Sequence, residues 1–541
     1  MDDEQKIRKF ESEVLDEAHV KYAFYLYSED IVTPYLLQVY GDTERHRDNL
    51  ITNGHNTYNL SVYLNNMMHG IGHCIRWMLK QNQPVFHHTS NESPGQLQEM
   101  AADFLGWGTG YHMIAQEFVT WSRGIKTTIF DENNKTITFL NPENYDYSSV
   151  YDKQLLYDEQ MQTVYLGYPH EEMEDEFEEW IKDIDFSKPP IANHINWDKG
   201  KESKSYPLLY RKMCEILFPE LKETTEFDGY TLEQLRQFYA LFFLNFHFIR
   251  WTEAVLDSKS GENLSFGSNP LYLSTMQFYK LASNITGLSK EIAKAIILDL
   301  TFNPNTFHTS ITIQPFVLSS SGTYYILPNI FSQLEPSRMI LGALNKVSKK
   351  KIYDKLINHI EKFNLDKLYF PVKNVDNWTS HLEKVIKFGG KQIHPDLIII
   401  DTIEKCVCVV DYKHFIGPMV DYKISELKKG AIQVQNYIAI LKKRNKIGVT
   451  NIEGFSVMGL LITHKPMPVP VSDEIDVPIT DMATFIQNVS SVRNRSQSIN
   501  ELIQLSKFDE KPKNIFTAFE AEIAVGEWKI IRSQHKITQP I

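Results

Sequence analysis

Gln392-Ile393-His394-Pro395-Asp396-Leu397-Ile398-Ile399-Ile400-Asp401, then Thr402-Ile403-Glu404-Lys405, then Cys406-Val407-Cys408-Val409-Val410-Asp411-Tyr412-Lys413 is the stretch from which the fold is read. Two apolar, β-branched runs flank a four-residue connection, the pattern of a β-hairpin. With Thr402–Lys405 as the connection, Asp401 faces Cys406. Counting back along both strands sets Asp396 opposite Asp411 and His394 opposite Lys413. Directly opposed residues hold their Cβ atoms about 4.5–5.5 Å apart. Side chains alternate along a strand, so Asp411 and Lys413 share a face.

This register sets two carboxylates face to face inside apolar strands. Like charges so placed repel, and buried unpaired charge is costlier still. A hard divalent cation resolves the conflict, because Mg²⁺ is held by one or two carboxylates plus waters and phosphate oxygens. A lysine beside the pair can orient or deprotonate an attacking water. Asp396, Asp411 and Lys413 therefore point to metal-assisted phosphodiester hydrolysis, in which the metal polarises the phosphate and lowers the water pKa. The bland reading makes Asp401 and Asp411 strand-end charges and Lys413 an ordinary ion-pair partner. It leaves Asp396, between Pro395 and Leu397, unexplained.

Pro395-Asp396, a spacer, and Asp411-x-Lys413 after an apolar run resembles the PD-(D/E)XK nuclease superfamily, which includes restriction endonucleases and recombination nucleases. The resemblance implies a restriction-endonuclease-like αβββαβ core. The matching segments are an amphipathic helix around Tyr353-Asp354-Lys355-Leu356-Ile357, a first strand at Leu368–Val372, the motif hairpin, a helix over Ser425–Leu441 and a strand over Phe455–Ile462. Gln433-x-x-x-Tyr437 resembles the Q-x-x-x-Y element of the RecB-like branch. Positions four apart share a helix face, so Lys429, Gln433 and Tyr437 form one stripe.

The resemblance implies that Gln433, Tyr437 and Lys429, with His394, position the substrate. It implies that Asp396, Asp411 and the Tyr412 backbone carbonyl hold Mg²⁺ or Mn²⁺. An acidic residue on the first helix would complete the metal shell; Asp354 matches best and Glu361 is the alternative. It implies DNA rather than RNA as substrate. It covers residues 310–470 at most.

Composition fits that division. The chain has 541 residues, against a usual domain size of about 100–200. Net charge is −12, but residues 331–541 hold 30 Lys+Arg against 23 Asp+Glu, and the remainder 26 against 45. A polyanion is therefore expected to meet the basic C-terminal third. No apolar run approaches a membrane span, and the opening Met1-Asp2-Asp3-Glu4 is acidic where a secretory leader is basic. Four cysteines with no C-x-x-C pair argue against a disulfide framework, so a cytoplasmic setting is expected.

The expected architecture is a multidomain α/β chain: a mostly helical domain with a hairpin (1–187), a helical middle region (188–305) and the nuclease-like domain (306–541). Strands are read at Ile311–Leu318, Thr323–Leu327 and Ile523–Ile531, a helix over Ser337–Phe363, and loops at Ser258–Asn269 and Pro466–Pro478. The acidic run Glu171–Asp185 reads as a solvated helix, or as a cover for the basic domain. Lys349-Lys350-Lys351 and Lys442-Lys443-Arg444 read as helix ends or phosphate contacts.

His69 and His73 could share a helix face and bind a metal, but the H-E-x-x-H pattern is missing. Gly106-x-Gly108-x-Gly110 lacks the dinucleotide fingerprint and reads as helix packing or a turn. No P-loop is present. A nuclease domain behind a large unrelated region resembles bacterial anti-phage defence or restriction effectors. That analogy gives the N-terminal region a sensing, partner-binding or homo-oligomerising role. The competing reading is a non-catalytic nucleic-acid-binding or assembly protein that keeps the fold.

Overall fold

The computed structural model describes residues 2–45, 57–81, 92–122, 124, 126–141, 170–182, 199–260, 270–305, 311–333, 336–345, 347–388, 390–414, 423–464, 477–506 and 516–537. The chain is mixed α/β. Nearly all of Pro466–Pro478 and most of Ser258–Asn269 lie outside the described residues, although Ser258, Lys259 and Ser260 end a helix.

The motif hairpin sits at the centre of one sheet. Helix α1 (Lys350–Lys373) leads to strand β1 (Trp378–Leu382), β2 (Leu397–Asp401) and β3 (Cys406–Lys413). Helix α2 (Lys423–Leu441), β4 (Ser456–Thr463), β5 (Ile479–Asp481), α3 (Met482–Arg493) and α4 (Ile499–Ser506) follow. The five strands lie in the order β5-β4-β3-β2-β1. β1, β2 and β3 are antiparallel neighbours, and β4 joins β3 in parallel after the α2 crossover.

The hairpin register is the one read from the sequence, with Cys406 against Asp401 and Val410 against Leu397. Asp401 closes the turn by accepting the N–H groups of Ile403 and Glu404 at 2.8 and 3.0 Å. Both faces of β3 are buried, which explains its unbroken apolar run. Val407 and Val409 pack with α2 residues Leu427, Val434 and Leu441. Cys406, Cys408 and Val410 face α1, α3 and α4.

Helix α1 belongs to two cores. Leu356 and Ile360 pack into the aromatic core around the helix Leu232–Ser260. Leu365, Leu368 and Val372 pack under the sheet. The strand expected at Leu368–Val372 is therefore the end of this helix, and the first strand is β1. Pro371 falls in the last turn of the helix, and Leu365, Leu368 and Val372 keep helical spacing. The helix expected over Ser337–Phe363 is interrupted, with Pro336–Leu344 separated from α1 by the single turn Val347–Lys349. Of the strand expected at Ile311–Leu318, only Val317–Leu318 forms.

Contacts cross both expected boundaries, 187/188 and 305/306. Leu271–Ser274 pairs with Thr323–Ile326, so one sheet spans the second boundary. The expected strand Ile523–Ile531 is a hairpin, Phe516–Val525 with Trp528–Ile537. Its second strand pairs in parallel with Thr136–Leu140 of the N-terminal hairpin. The sheet-centred unit thus runs from about α1 to α4, flanked on both sides by chain that belongs to the helical body. The helix His170–Ile181, within the acidic stretch, buries Met173, Phe177 and Trp180 in the middle-region core. Glu176 there accepts hydrogen bonds from Ser203 and Ser205.

The helices Thr57–Lys80 and Pro94–Ser122 cross at glycine. A Cβ on Gly108 would lie 2.6 Å from Cys74 Sγ and 2.7 Å from the Gly70 carbonyl, whereas Gly106 has nothing within 4 Å. Only Gly108 of the glycine triplet carries the close helix approach. Gly108→Val should destabilise the protein by about 1–3 kcal/mol through overpacking. Gly106→Ala should be neutral or stabilising by about 0.5–1 kcal/mol. Urea unfolding of both variants checks this; equal effects would refute it.

Candidate active site

A cavity of about 600 Å³ opens at the ends of β2 and β3, between α1 and α2. Its wall contains Asp396, Asp411 and Lys413 from the hairpin, Glu361 from α1, and Gln433 and Tyr437 from α2. The β2–β3 ladder stops at Leu397 and Val410, because Pro395 has no N–H to extend it. Asp396 is the last residue held: its N–H donates to the Val410 carbonyl at 3.1 Å. Its Oδ2 accepts the Tyr412 N–H at 2.6 Å. The side chain thus takes a bond that a strand would have taken. Asp396 and Asp411 are brought together at one cavity, although not as ladder partners, and His394 does not pair with Lys413.

His394 lines the cavity, and its carbonyl accepts from Tyr437 Oη at 3.3 Å. Lys413 Nζ lies 2.7 Å from Asp411 Oδ2 and 3.4 Å from Gln433 Oε1. Gln433 Nε2 in turn donates to Asp411 Oδ1 at 3.4 Å and contacts Tyr437 Oη. The glutamine bridges lysine, aspartate and tyrosine.

Electrostatically the site is overloaded with carboxyl groups. Burial, then the Asp411 charge, push Asp396 up to about 7, against the pull of the Tyr412 N–H and Lys413. Burial raises Asp411, with Lys413 opposing. Burial raises Glu361 as well, again against Lys413, and Glu361 adds to the pressure on Asp396. Three carboxyl groups share one ammonium. Their oxygens suit a hard cation, which needs only one or two carboxylates beside water and phosphate. The donor set fits Mg²⁺ or Mn²⁺ by this chemistry. Among the described residues, no three His, Cys, Asp or Glu side chains form a ready-made metal cluster.

Two expected site residues fall elsewhere. Asp354 lies two helical turns before Glu361, half exposed and paired with Lys350 at 3.0 Å. It is absent from the cavity wall, and Glu361 stands there instead. Lys429 is 71% exposed and paired with Glu426, off the cavity wall. Sequence reasoning missed Asn436 and His414, which also line the cavity. Asn436 follows Gln433 by three positions, so the shared helix face was a usable signal.

His69 and His73 meet His112 of the next helix. The His69 and His112 rings stack at 4.2 Å, and His73 Nε2 lies 3.4 Å from His112 Nδ1. Burial is the main force lowering all three, His112 to about 4, so they sit neutral between the two helices.

No family model, curated protein or solved structure matches this chain.

Asp396 holds its proton more tightly folded than unfolded. Its stabilising contribution is complete at low pH and is lost as pH rises through the folded value of about 7. Asp396→Asn should therefore gain on the wild type between about pH 4 and 7, and be the more stable above that by on the order of 2 kcal/mol. Urea unfolding in EDTA across this range checks the sign. A difference that does not change with pH would contradict it.

Proposed function

We propose that the unit from α1 to α4 is a metal-dependent nuclease of the PD-(D/E)XK class that hydrolyses phosphodiester bonds in DNA. The observation that carries this reading is the placement of Asp396, Asp411 and Lys413 at one cavity, backed by Gln433 and Tyr437. Leaving aside two short hairpins, Ile386–Phe388 with Lys391–Ile393 and Lys446–Ile447 with Thr450–Asn451, the order α1-β1-β2-β3-α2-β4 supports this reading. The preference for DNA rests on the class alone.

Asp396, Asp411 and the Tyr412 carbonyl would hold Mg²⁺ or Mn²⁺, with Glu361 in the place first given to Asp354. The ion, when bound, supplies Lewis-acid polarisation of the phosphate and a more acidic water. Lys413 orients the attacking water and stabilises negative charge on the phosphate; Gln433 holds its Nζ toward Asp411. Tyr437 fixes the His394 carbonyl and with it the Pro395–Asp396 turn. A cation over the carboxylates also lowers the cost of ionising Asp396.

The same reading gives the helical body a sensing, partner-binding or oligomerising role, as in bacterial anti-phage or restriction effectors. This part rests on the analogy of layout. No described helix is long and apolar enough to cross a membrane.

Plasmid and linear DNA should be cut in Mg²⁺ and left intact in EDTA. Lys413→Ala should slow cleavage by about 10²–10³, the usual loss for one preorganised charge-stabilising group. If the wild type binds DNA but cuts neither substrate in Mg²⁺ or Mn²⁺, the non-catalytic reading replaces this one.

A further inference from the structure

A second cavity, of about 550 Å³, lies against the first half of α1. Lys351, Lys355 and His359 line one side, and the middle-region segment Leu221–Phe227 forms the other. The three basic residues recur every four positions, so they form one stripe on the helix. On the same helix, but about a third of a turn round from the centre of the stripe, Glu361 lines the first cavity. Ten residues separate Lys351 from Glu361, a rise of about 15 Å. That spans about four phosphates of one duplex strand.

The charges on this stripe differ from those beside it. Lys349 is held inside by Asp299 at 2.5 Å and Asp228 at 3.1 Å, and Lys350 by Asp354. Lys351 and Lys355 are exposed, and no ion pair is recorded for either among the described residues. His359 Nδ1 lies 2.7 Å from the Lys355 carbonyl, a contact that makes Nδ1 the donor. The opposite wall adds the hydroxyl groups of Thr224 and Thr225. Its one carboxylate is Glu226. Burial pushes the Tyr412 hydroxyl upward, with the Asn364 hydrogen bond opposing and the charges of Glu361, Glu220 and Asp396 adding, so Glu220, the residue before this segment, lies within electrostatic reach of the active site.

We propose that this groove is a second nucleic-acid subsite, which holds the backbone phosphates of the strand flanking the cleavage point. The inference rests on the nuclease reading and adds to it: the middle region and α1 together grip substrate outside the catalytic cavity. Lys351 and Lys355 neutralise phosphates, the threonine hydroxyls hydrogen-bond to them, and Glu226 limits affinity by repulsion. Only substrates long enough to fill both cavities gain from the grip.

The test is fluorescence anisotropy of the full chain with labelled DNA duplexes of about 30 and about 8 base pairs, at several salt concentrations with Ca²⁺ in place of Mg²⁺. Lys351→Ala/Lys355→Ala should lower the slope of log affinity against log salt by about 1.8 for the long duplex, the value for two lost phosphate contacts. Its effect on the short duplex, and on the cutting of short duplex in Mg²⁺, should be small. Lys350→Ala, whose side chain is engaged by Asp354, serves as the control, and Glu226→Gln should tighten long-duplex binding. Wild-type binding and cleavage with an unaltered slope in the double variant would overturn the subsite and leave the nuclease reading standing. A wild type that binds neither duplex at low salt would overturn both.

Discussion

Strand β3 is paired in parallel with β4 along its whole length and antiparallel with β2 only from Cys406 to Val410. The candidate site depends on where the second of those ladders stops. Every position from Cys406 to Tyr412 is buried, so the strand cannot slip by one residue without moving its whole apolar set to the wrong face. Pro395 ends the β2 side of the ladder. The Tyr412 N–H then loses its natural partner, and an unpaired buried amide is costly. Asp396 Oδ2 takes that bond. A backbone requirement thus fixes the position of a carboxylate whose own burial is unfavourable.

The opposing terms are of different kinds. The Tyr412 N–H and Lys413 favour the ionised carboxylate; burial, Asp411 and Glu361 oppose it. The second group wins for Asp396, and for Asp411 burial alone outweighs Lys413 at 2.7 Å. A site made for stability alone would separate these groups or add a second cation. Concentrating them against one lysine is the arrangement expected where another positive charge arrives during function.

The strand grammar around the motif was legible because two unbroken apolar runs joined by a four-residue turn leave few alternatives. The turn, the register of Leu397–Asp401 against Cys406–Val410, and the helix with Gln433 and Tyr437 all follow from local pattern. The extent of α1 did not. Leu368–Val372 is a short apolar run that reads as a strand, although it forms the end of the helix. Asp354 and Glu361 lie seven residues apart, almost on one helix face, so periodicity alone could not choose between them. The choice was made by long-range packing. The sheet meets α1 at Leu365, just below Glu361, whereas Ile360 and Leu356 above it serve another core. Lys429 shows the converse: it has the right helical phase, but lies too near the start of α2 to reach the cavity wall.

That sharing of α1 bears on how the two halves of the protein communicate. The helix cannot shift as a rigid rod without disturbing Leu356 and Ile360 in the middle-region core and Leu365, Leu368 and Val372 under the sheet. Close-packed interiors resist continuous deformation and pass displacement on. The chain leaves the sheet-centred unit after α4 and ends as a hairpin joined to Thr136–Leu140, where Arg532 lies 3.1 Å from the buried Glu117. The sheet-centred unit is therefore tied to the helical body at both of its ends. A displacement of that body that moves α1 would meet the cavity wall at Glu361.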